Sequence, residues 1–169
     1  MGKVNLSNEI IRDLINEAFA VRENAYAVYS NFAVGAAVLS DDGGVFTGCN
    51  VENASYPAGS CAETVAVNKA VSEGVRKIKA IAIVGGEVSP EAGQQEEAAE
   101  AIVDVAGAEA GNQDEQGFLV RDYTYPCGIC RQVISEFGSD NGTAVIIAKS
   151  VDDYKIYDIS ELFVGAFTL

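Results

Sequence analysis

Histidine is absent from this chain of 169 residues, and its absence removes several common catalytic arrangements. The Ser-His-Asp triad, the cysteine nucleophile paired with histidine and the His-Glu-x-x-His metalloprotease all need an imidazole as base or ligand. Catalysis would therefore have to use other side chains, among which the four cysteines are the first to consider.

Basic residues are scarce: 11 lysines and arginines stand against 25 aspartates and glutamates, for a formal net charge of -14. The sequence has no lysine and arginine cluster that could replace the counterions of a phosphate backbone, so nucleic acid is a poor partner. The acidic excess is densest between residues 87 and 117, a stretch that contains no basic residue. We interpret this stretch as a solvated insertion in a single domain of residues 1–169.

Long apolar runs are missing as well. No stretch approaches the roughly 18 apolar residues that a membrane-spanning helix needs, so no membrane contact is expected. A hydrophobic content of 49% is still sufficient for one core. Four cysteines without a secretory signal suit a metal or catalytic set better than a disulfide framework, which indicates a reducing, cytoplasmic setting.

The order of hydrophobic patterns predicts an α/β domain. Apolar residues at helical spacing follow Ser7, a good N-cap, and predict a first helix that runs to about Ala25. A β-hairpin with its turn at Gly43 and Gly44 follows, and then a helix and a buried strand. Another helix after Pro126 and two further strands complete three layers, with helices on both faces of a mixed sheet of about five strands.

Three of the cysteines stand at the starts of predicted helices. Cys127 and Cys130 form a Cys-x-x-Cys pair, and Cys61 begins the helix that follows the hairpin. Such a pair alone is either a redox dithiol or half of a zinc site. Two helix N-termini that face each other could deliver three thiolates to one ion, and their positive dipole ends would help to keep the thiolates deprotonated.

Three protein ligands would leave the fourth position of a zinc ion to water, as in a catalytic site. Glu63, two residues after Cys61, could take a proton from that water and pass it to a leaving group. We interpret Cys49 as a buried strand thiol, because a fourth thiolate would close the site.

The sequences Cys-Ala-Glu at residues 61–63 and Pro-Cys-Gly-Ile-Cys-Arg-Gln at 126–132 together resemble the zinc-dependent cytidine deaminase family. The likeness extends over most of the chain outside the acidic stretch. It implies the fold of that family, with Cys61, Cys127 and Cys130 as ligands of Zn²⁺. It also implies that Glu63 is the proton shuttle in hydrolytic attack on C4 of cytosine, with release of ammonia.

The resemblance also implies how a nucleoside substrate is bound. In Asn-Val-Glu-Asn at residues 50–53, Asn50 and Glu52 match the positions that hydrogen-bond the sugar hydroxyls. A carboxylate at this position disfavours a nearby phosphate, so a free nucleoside is expected rather than a nucleotide. Phe32 matches an aromatic residue of the base pocket, and backbone groups around Ala62 and Pro126 are expected to hold the ring.

Phe167 matches the C-terminal aromatic residue that reaches a neighbouring active site in tetrameric members, which implies a homotetramer. Two features depart from the family pattern. The acidic stretch is longer than the usual short link, and Thr64 follows Cys-Ala-Glu where tetrameric members usually have an arginine that donates to the thiolates. We expect Thr64 to supply a hydroxyl hydrogen bond to sulfur and Arg131 to supply more of the remaining donation.

Three other interpretations remain open. Deaminases of a cytosine-containing antibiotic such as blasticidin S have an apolar residue at the position of Thr64, although Asn50 and Glu52 favour cytidine or deoxycytidine. A closed structural zinc site in a binding module would need Cys49 as its fourth ligand. A redox pair would leave Cys127 and Cys130 free and reactive without metal.

Overall fold

The computed structural model describes residues 4–88, 112–113 and 119–167. The helices are α1 (Asn8–Arg22), α2 (Ala62–Ser72), α3 (Gly128–Glu136) and α4 (Ile159–Leu162). The strands are β1 (Phe32–Ser40), β2 (Val45–Cys49), β3 (Ile78–Glu87), β4 (Asn112–Gln113), β5 (Leu119–Val120), β6 (Ala144–Ala148) and β7 (Tyr154–Asp158). Most of the acidic stretch interpreted as an insertion, residues 89–111 and 114–118, lies outside the described residues.

The five longer strands form one mixed sheet in the order β2-β1-β3-β6-β7. Strand β1 is antiparallel to β2 and β3, β3 is parallel to β6, and β6 is antiparallel to β7. The short strands β4 and β5 pair with each other and meet the sheet at Glu87, the last residue of β3. The predicted α/β class and mixed sheet are confirmed.

Helices cover both faces of the sheet, as the three-layer prediction requires. Because successive side chains of a strand point to opposite faces, β3 places Ala82 and Val84 against α1, while Ile81 and Ile83 face α2 and α3. Helix α1 begins where the sequence predicted, since the Ser7 side chain accepts a hydrogen bond from the Ile10 N–H. It ends at Arg22, earlier than the predicted Ala25.

A glycine sets how closely α2 lies on the sheet. A Cβ atom added at Gly48 in β2 would stand 2.4 Å from the backbone nitrogen of Ala66 and 2.7 Å from the carbonyl oxygen of Ala62. The backbone of α2 therefore rests directly on β2. This contact positions the first turn of α2, in which Glu63 lies.

The sequence patterns did not predict β4, β5 or α4. Helix α4 has only four residues, too few for a periodic signal, and depends on a capping box between Asp158 and Glu161. Within the described residues, no helix combines the length and hydropathy that crossing a membrane requires.

Candidate active site

The starts of α2 and α3 bring three thiols together. Cys61 is the N-cap of α2, Cys127 is the N-cap of α3, and Cys130 lies buried in the first turn of α3. The Sγ atoms of Cys61 and Cys127 are 4.0 Å apart, those of Cys127 and Cys130 are 3.6 Å apart, and all three lie within 4.8 Å of one another. Zn–S bonds of about 2.3 Å in a tetrahedral site place sulfurs about 3.8 Å apart. The spacing therefore fits a zinc ion.

The three thiols also have the electrostatics of a cation site. A hydrogen bond with Cys130 lowers the pKa of the Cys61 thiol to about 6. The same hydrogen bond and burial raise the pKa of Cys130. One thiolate thus forms readily and opposes ionisation of its neighbour, whereas a divalent cation would stabilise all three thiolates.

Glu63 lies in the first turn of α2 and is only 4% exposed. Burial, which disfavours the charged carboxylate, raises its pKa. Ala62, next to Glu63 at the start of α2, and Pro126, just before Cys127, are also buried. Because the first N–H groups of a helix have no partner within the helix, the backbone at Ala62 can bind a ligand.

Thr64 contacts one of the three thiols. Its Oγ1 atom lies 3.7 Å from Sγ of Cys130, which allows a hydrogen bond from the hydroxyl to a thiolate. The chain therefore has a neutral donor to sulfur at this position.

Arg131 makes two contacts that the sequence did not predict. Its Nε donates to the carbonyl of Pro126 at 2.8 Å, and its Nη1 donates to the carbonyl of Leu162 at 2.9 Å. Leu162 ends α4, so its carbonyl has no partner within that helix and attracts the guanidinium. These two nitrogen atoms join the segment before Cys127 to the end of α4. The donation to sulfur expected of Arg131 stays a prediction for its third nitrogen.

Sequence reasoning missed Gln132, which follows Arg131. Its Nε2 donates to the carbonyl of Phe167 at 3.0 Å, and its Oε1 accepts from the Phe167 N–H at 3.2 Å. The Phe167 residue remains 68% exposed while its backbone is held on α3. The sequence offered one indication of this contact: Gln132 lies next to the cysteine motif, and its amide can both donate and accept a hydrogen bond.

A groove of about 330 Å³ opens beside Cys61, and its lining residues include Asn50 and Glu52. Backbone contacts fix both side chains. The Asn50 amide accepts from the Val34 N–H at 2.8 Å and donates to the Phe32 carbonyl at 2.9 Å.

Glu52 is also held by the backbone. Its Oε2 atom accepts from the N–H groups of Tyr29 and Ser30, at 2.7 Å and 3.2 Å. Hydrogen bonds from the Ser30 hydroxyl and the Tyr29 N–H lower the pKa of Glu52. The groove therefore contains an ionised carboxylate.

Two other predicted residues belong neither to the thiol group nor to the lining of the groove. Phe32 begins β1, is 36% exposed and is not among the residues that line the groove. Its ring packs closely on Gly85 of β3, where an added Cβ atom would stand 3.0 Å from it. Cys49 donates its thiol to the Asn24 carbonyl at 3.3 Å, and burial raises its pKa. Cys49 is thus outside the thiol group, as the open-site interpretation requires.

Comparisons with known proteins identify relatives of this chain. Residues 8–147 match the family model of the cytidine and deoxycytidylate deaminase zinc-binding region. A cytidine deaminase of Sporosarcina psychrophila is 35% identical over 158 residues, which cover 94% of this chain and 91% of the relative. One of Halalkalibacterium halodurans is 38% identical over 155 residues, 92% of each chain. The crystal structure of cytidine deaminase from Burkholderia pseudomallei matches with a TM-score of 0.66 at 36% identity, covering 92% of this chain and 97% of that chain.

Proposed function

Since this chain belongs to the family of cytidine and deoxycytidylate deaminases, we propose that it hydrolyses free cytidine and deoxycytidine to uridine and deoxyuridine, with release of ammonia. The observation that carries the proposal is the group of three thiols at the starts of α2 and α3, with Glu63 buried beside it. A zinc ion held by Cys61, Cys127 and Cys130 would supply Lewis acidity and lower the pKa of a water molecule.

Glu63 moves the protons of the reaction. As the water oxygen attacks C4 of the cytosine ring, Glu63 accepts one proton and delivers it to N3. It then accepts the second proton and passes it to the exocyclic amine, so that the C4–N4 bond breaks and ammonia leaves. The burial of Glu63 supports this role, because a carboxyl group with a raised pKa can hold a proton between two transfers.

The groove beside Cys61 is assigned to the sugar. Glu52 accepts a hydrogen bond from a sugar hydroxyl, and the Asn50 amide provides a second contact. The lining of this groove, taken from the described residues, has the Glu52 carboxylate and no lysine or arginine. A 5′-phosphate would therefore meet a negative charge without a compensating cation, which supports a free nucleoside rather than a nucleotide.

The remaining assignments complete the substrate site. Backbone groups at Ala62 and Pro126 hold the base, with Phe32 as an aromatic wall. Phe167 reaches a neighbouring subunit of a homotetramer, a role that its exposure on the surface of the single chain supports. The reaction would return cytidine to uridine in pyrimidine salvage in the cytoplasm.

Ammonia release from cytidine, deoxycytidine, cytidine monophosphate and blasticidin S tests the proposal, with Glu63→Gln as the blank. We expect the zinc-loaded protein to act on the two nucleosides and much more slowly on the nucleotide and the antibiotic. Turnover of blasticidin S alone would replace the proposed substrate, and retained zinc without any turnover would favour a structural zinc site.

A further inference from the structure

Asn31 has an unusual backbone conformation beside the groove. In the described part of the chain it is the one non-glycine residue with positive φ, at 54°. Side chains disfavour this left-handed region, and asparagine is among the residues that tolerate it best. Such a conformation persists only where the surrounding structure holds it, and residues of this kind are concentrated at functional sites.

Hydrogen bonds hold Asn31 from both sides. Its N–H donates to the Ala27 carbonyl at 2.9 Å and closes a single helical turn. Its carbonyl accepts from the Val88 N–H, also at 2.9 Å. Val88 directly follows β3, so the turn is joined to the end of a central strand.

The turn ends in a left-handed residue, and the two N–H groups just before that residue meet one carboxylate oxygen. The N–H groups of Tyr29 and Ser30 both donate to Oε2 of Glu52. The Ser30 hydroxyl accepts from the Phe32 N–H at 3.1 Å, and the Tyr26 carbonyl accepts from the Glu52 N–H at 2.8 Å. The backbone of residues 26–32 thus fixes both the main chain and the side chain of Glu52.

We infer that Asn31 is a positioning residue for nucleoside binding: its left-handed conformation directs the Tyr29 and Ser30 N–H groups onto Glu52 and thereby orients the carboxylate in the groove. The ligand named here, a nucleoside whose sugar hydroxyl Glu52 accepts, rests on the proposed function. Two backbone N–H groups on Oε2 and the Ser30 hydroxyl fix the carboxylate, and its remaining acceptor positions are available to the sugar.

The conformation, rather than the asparagine side chain, should determine binding. Asn31→Val places a β-branched side chain where φ is positive, so the turn must rearrange and the two N–H groups leave Glu52. We expect KM for cytidine to rise about tenfold and kcat to change less than about twofold, the pattern of lost ground-state binding. Asn31→Gly accepts positive φ without strain and should keep KM close to that of the wild type.

A double-mutant cycle with Glu52→Gln distinguishes positioning from general damage. If Asn31 acts through Glu52, Asn31→Val should raise KM far less in the Glu52→Gln background than in the wild type, because the carboxylate is already gone. A matched control is Gly43→Val in the β1–β2 turn, where φ is 93° and no atom lies within 4 Å of an added Cβ. This control variant imposes backbone strain at the end of β1 that lies away from Asn31. It should lower the melting temperature without raising KM for cytidine.

The dissociation constant of uridine, measured for the same variants, keeps this inference separate from the proposed function. If the wild type binds uridine without deaminating cytidine, the proposed function fails, and the uridine constants still test Asn31. An Asn31→Val protein with unchanged constants, an Asn31→Gly protein as weak as Asn31→Val, or additive effects with Glu52→Gln would overturn the inference. Failure of the wild type both to bind and to turn over would overturn both.

Discussion

The thiol group and the groove beside it are built in different ways. Cys61, Glu63 and Cys130 lie at the starts of helices that pack on the sheet, and Glu63 and Cys130 are buried. The groove is formed by the segments around residues 26–32 and 50–60, and backbone hydrogen bonds hold its polar side chains. The difference teaches that the residues proposed to carry out the reaction lie on packed helices, whereas those proposed to bind the sugar lie on loops.

Glu63→Gln should have the largest effect on the reaction and little on the fold. The amide cannot move protons, so we expect kcat for cytidine to fall by about 10³-fold, within the range attributed to general acid–base catalysis. Zinc content and melting temperature should stay at wild-type values, because the two side chains have nearly the same shape. Ammonia release and metal analysis on the same sample measure both, and a loss below tenfold would remove Glu63 from its role.

Gly48→Ala tests whether packing of α2 on β2 holds the thiol group in place. The added methyl group would overlap the α2 backbone, and overpacking of this kind destabilises a protein by about 1–3 kcal/mol. We expect lower stability in urea and a lower affinity for zinc. Gly128→Ala is the stability control, because no atom lies within 4 Å of its added Cβ. Equal urea midpoints for the two variants would contradict the packing account.

Glu52→Gln should affect binding more than chemistry. A hydrogen bond to a charged group contributes about 1.5–3 kcal/mol, so KM for cytidine should rise at least about tenfold while zinc content is unchanged. Removal of the negative charge should also reduce the preference for cytidine over cytidine monophosphate. Glu9→Gln, on the exposed first turn of α1, is the matched control. Equal KM values for both variants would remove Glu52 from the sugar site.

Thr64→Val should have the smallest effect. It removes one neutral hydroxyl from Cys130, and an ordinary hydrogen bond contributes about 0.5–1.5 kcal/mol. We expect zinc affinity to fall about threefold to tenfold, measured by competition with a chelator, and Thr64→Ser to restore it. An unchanged affinity for Thr64→Val would mean that the 3.7 Å contact does not stabilise the thiolate.

The sequence predicted the thiol group better than the groove. Cys61 and Cys127 could be placed at helix starts because apolar periodicity and the flanking residues determine where a helix begins. The contacts of Arg131 with Leu162 and of Gln132 with Phe167 depend on α4 and the C-terminal segment, which are distant in sequence. The left-handed conformation of Asn31 could not be predicted either, because an asparagine in a loop is compatible with many conformations. Hydrogen bonds with Ala27 and Val88 select the one observed.

The most direct test of the account compares Cys61→Ser with Cys49→Ser for bound zinc and for ammonia release from cytidine. The account predicts that Cys49→Ser keeps one zinc ion and most of the activity, since its thiol contacts Asn24 outside the thiol group, and that Cys61→Ser loses both. Loss of zinc from Cys49→Ser, or full activity in Cys61→Ser, would contradict a three-thiolate catalytic site.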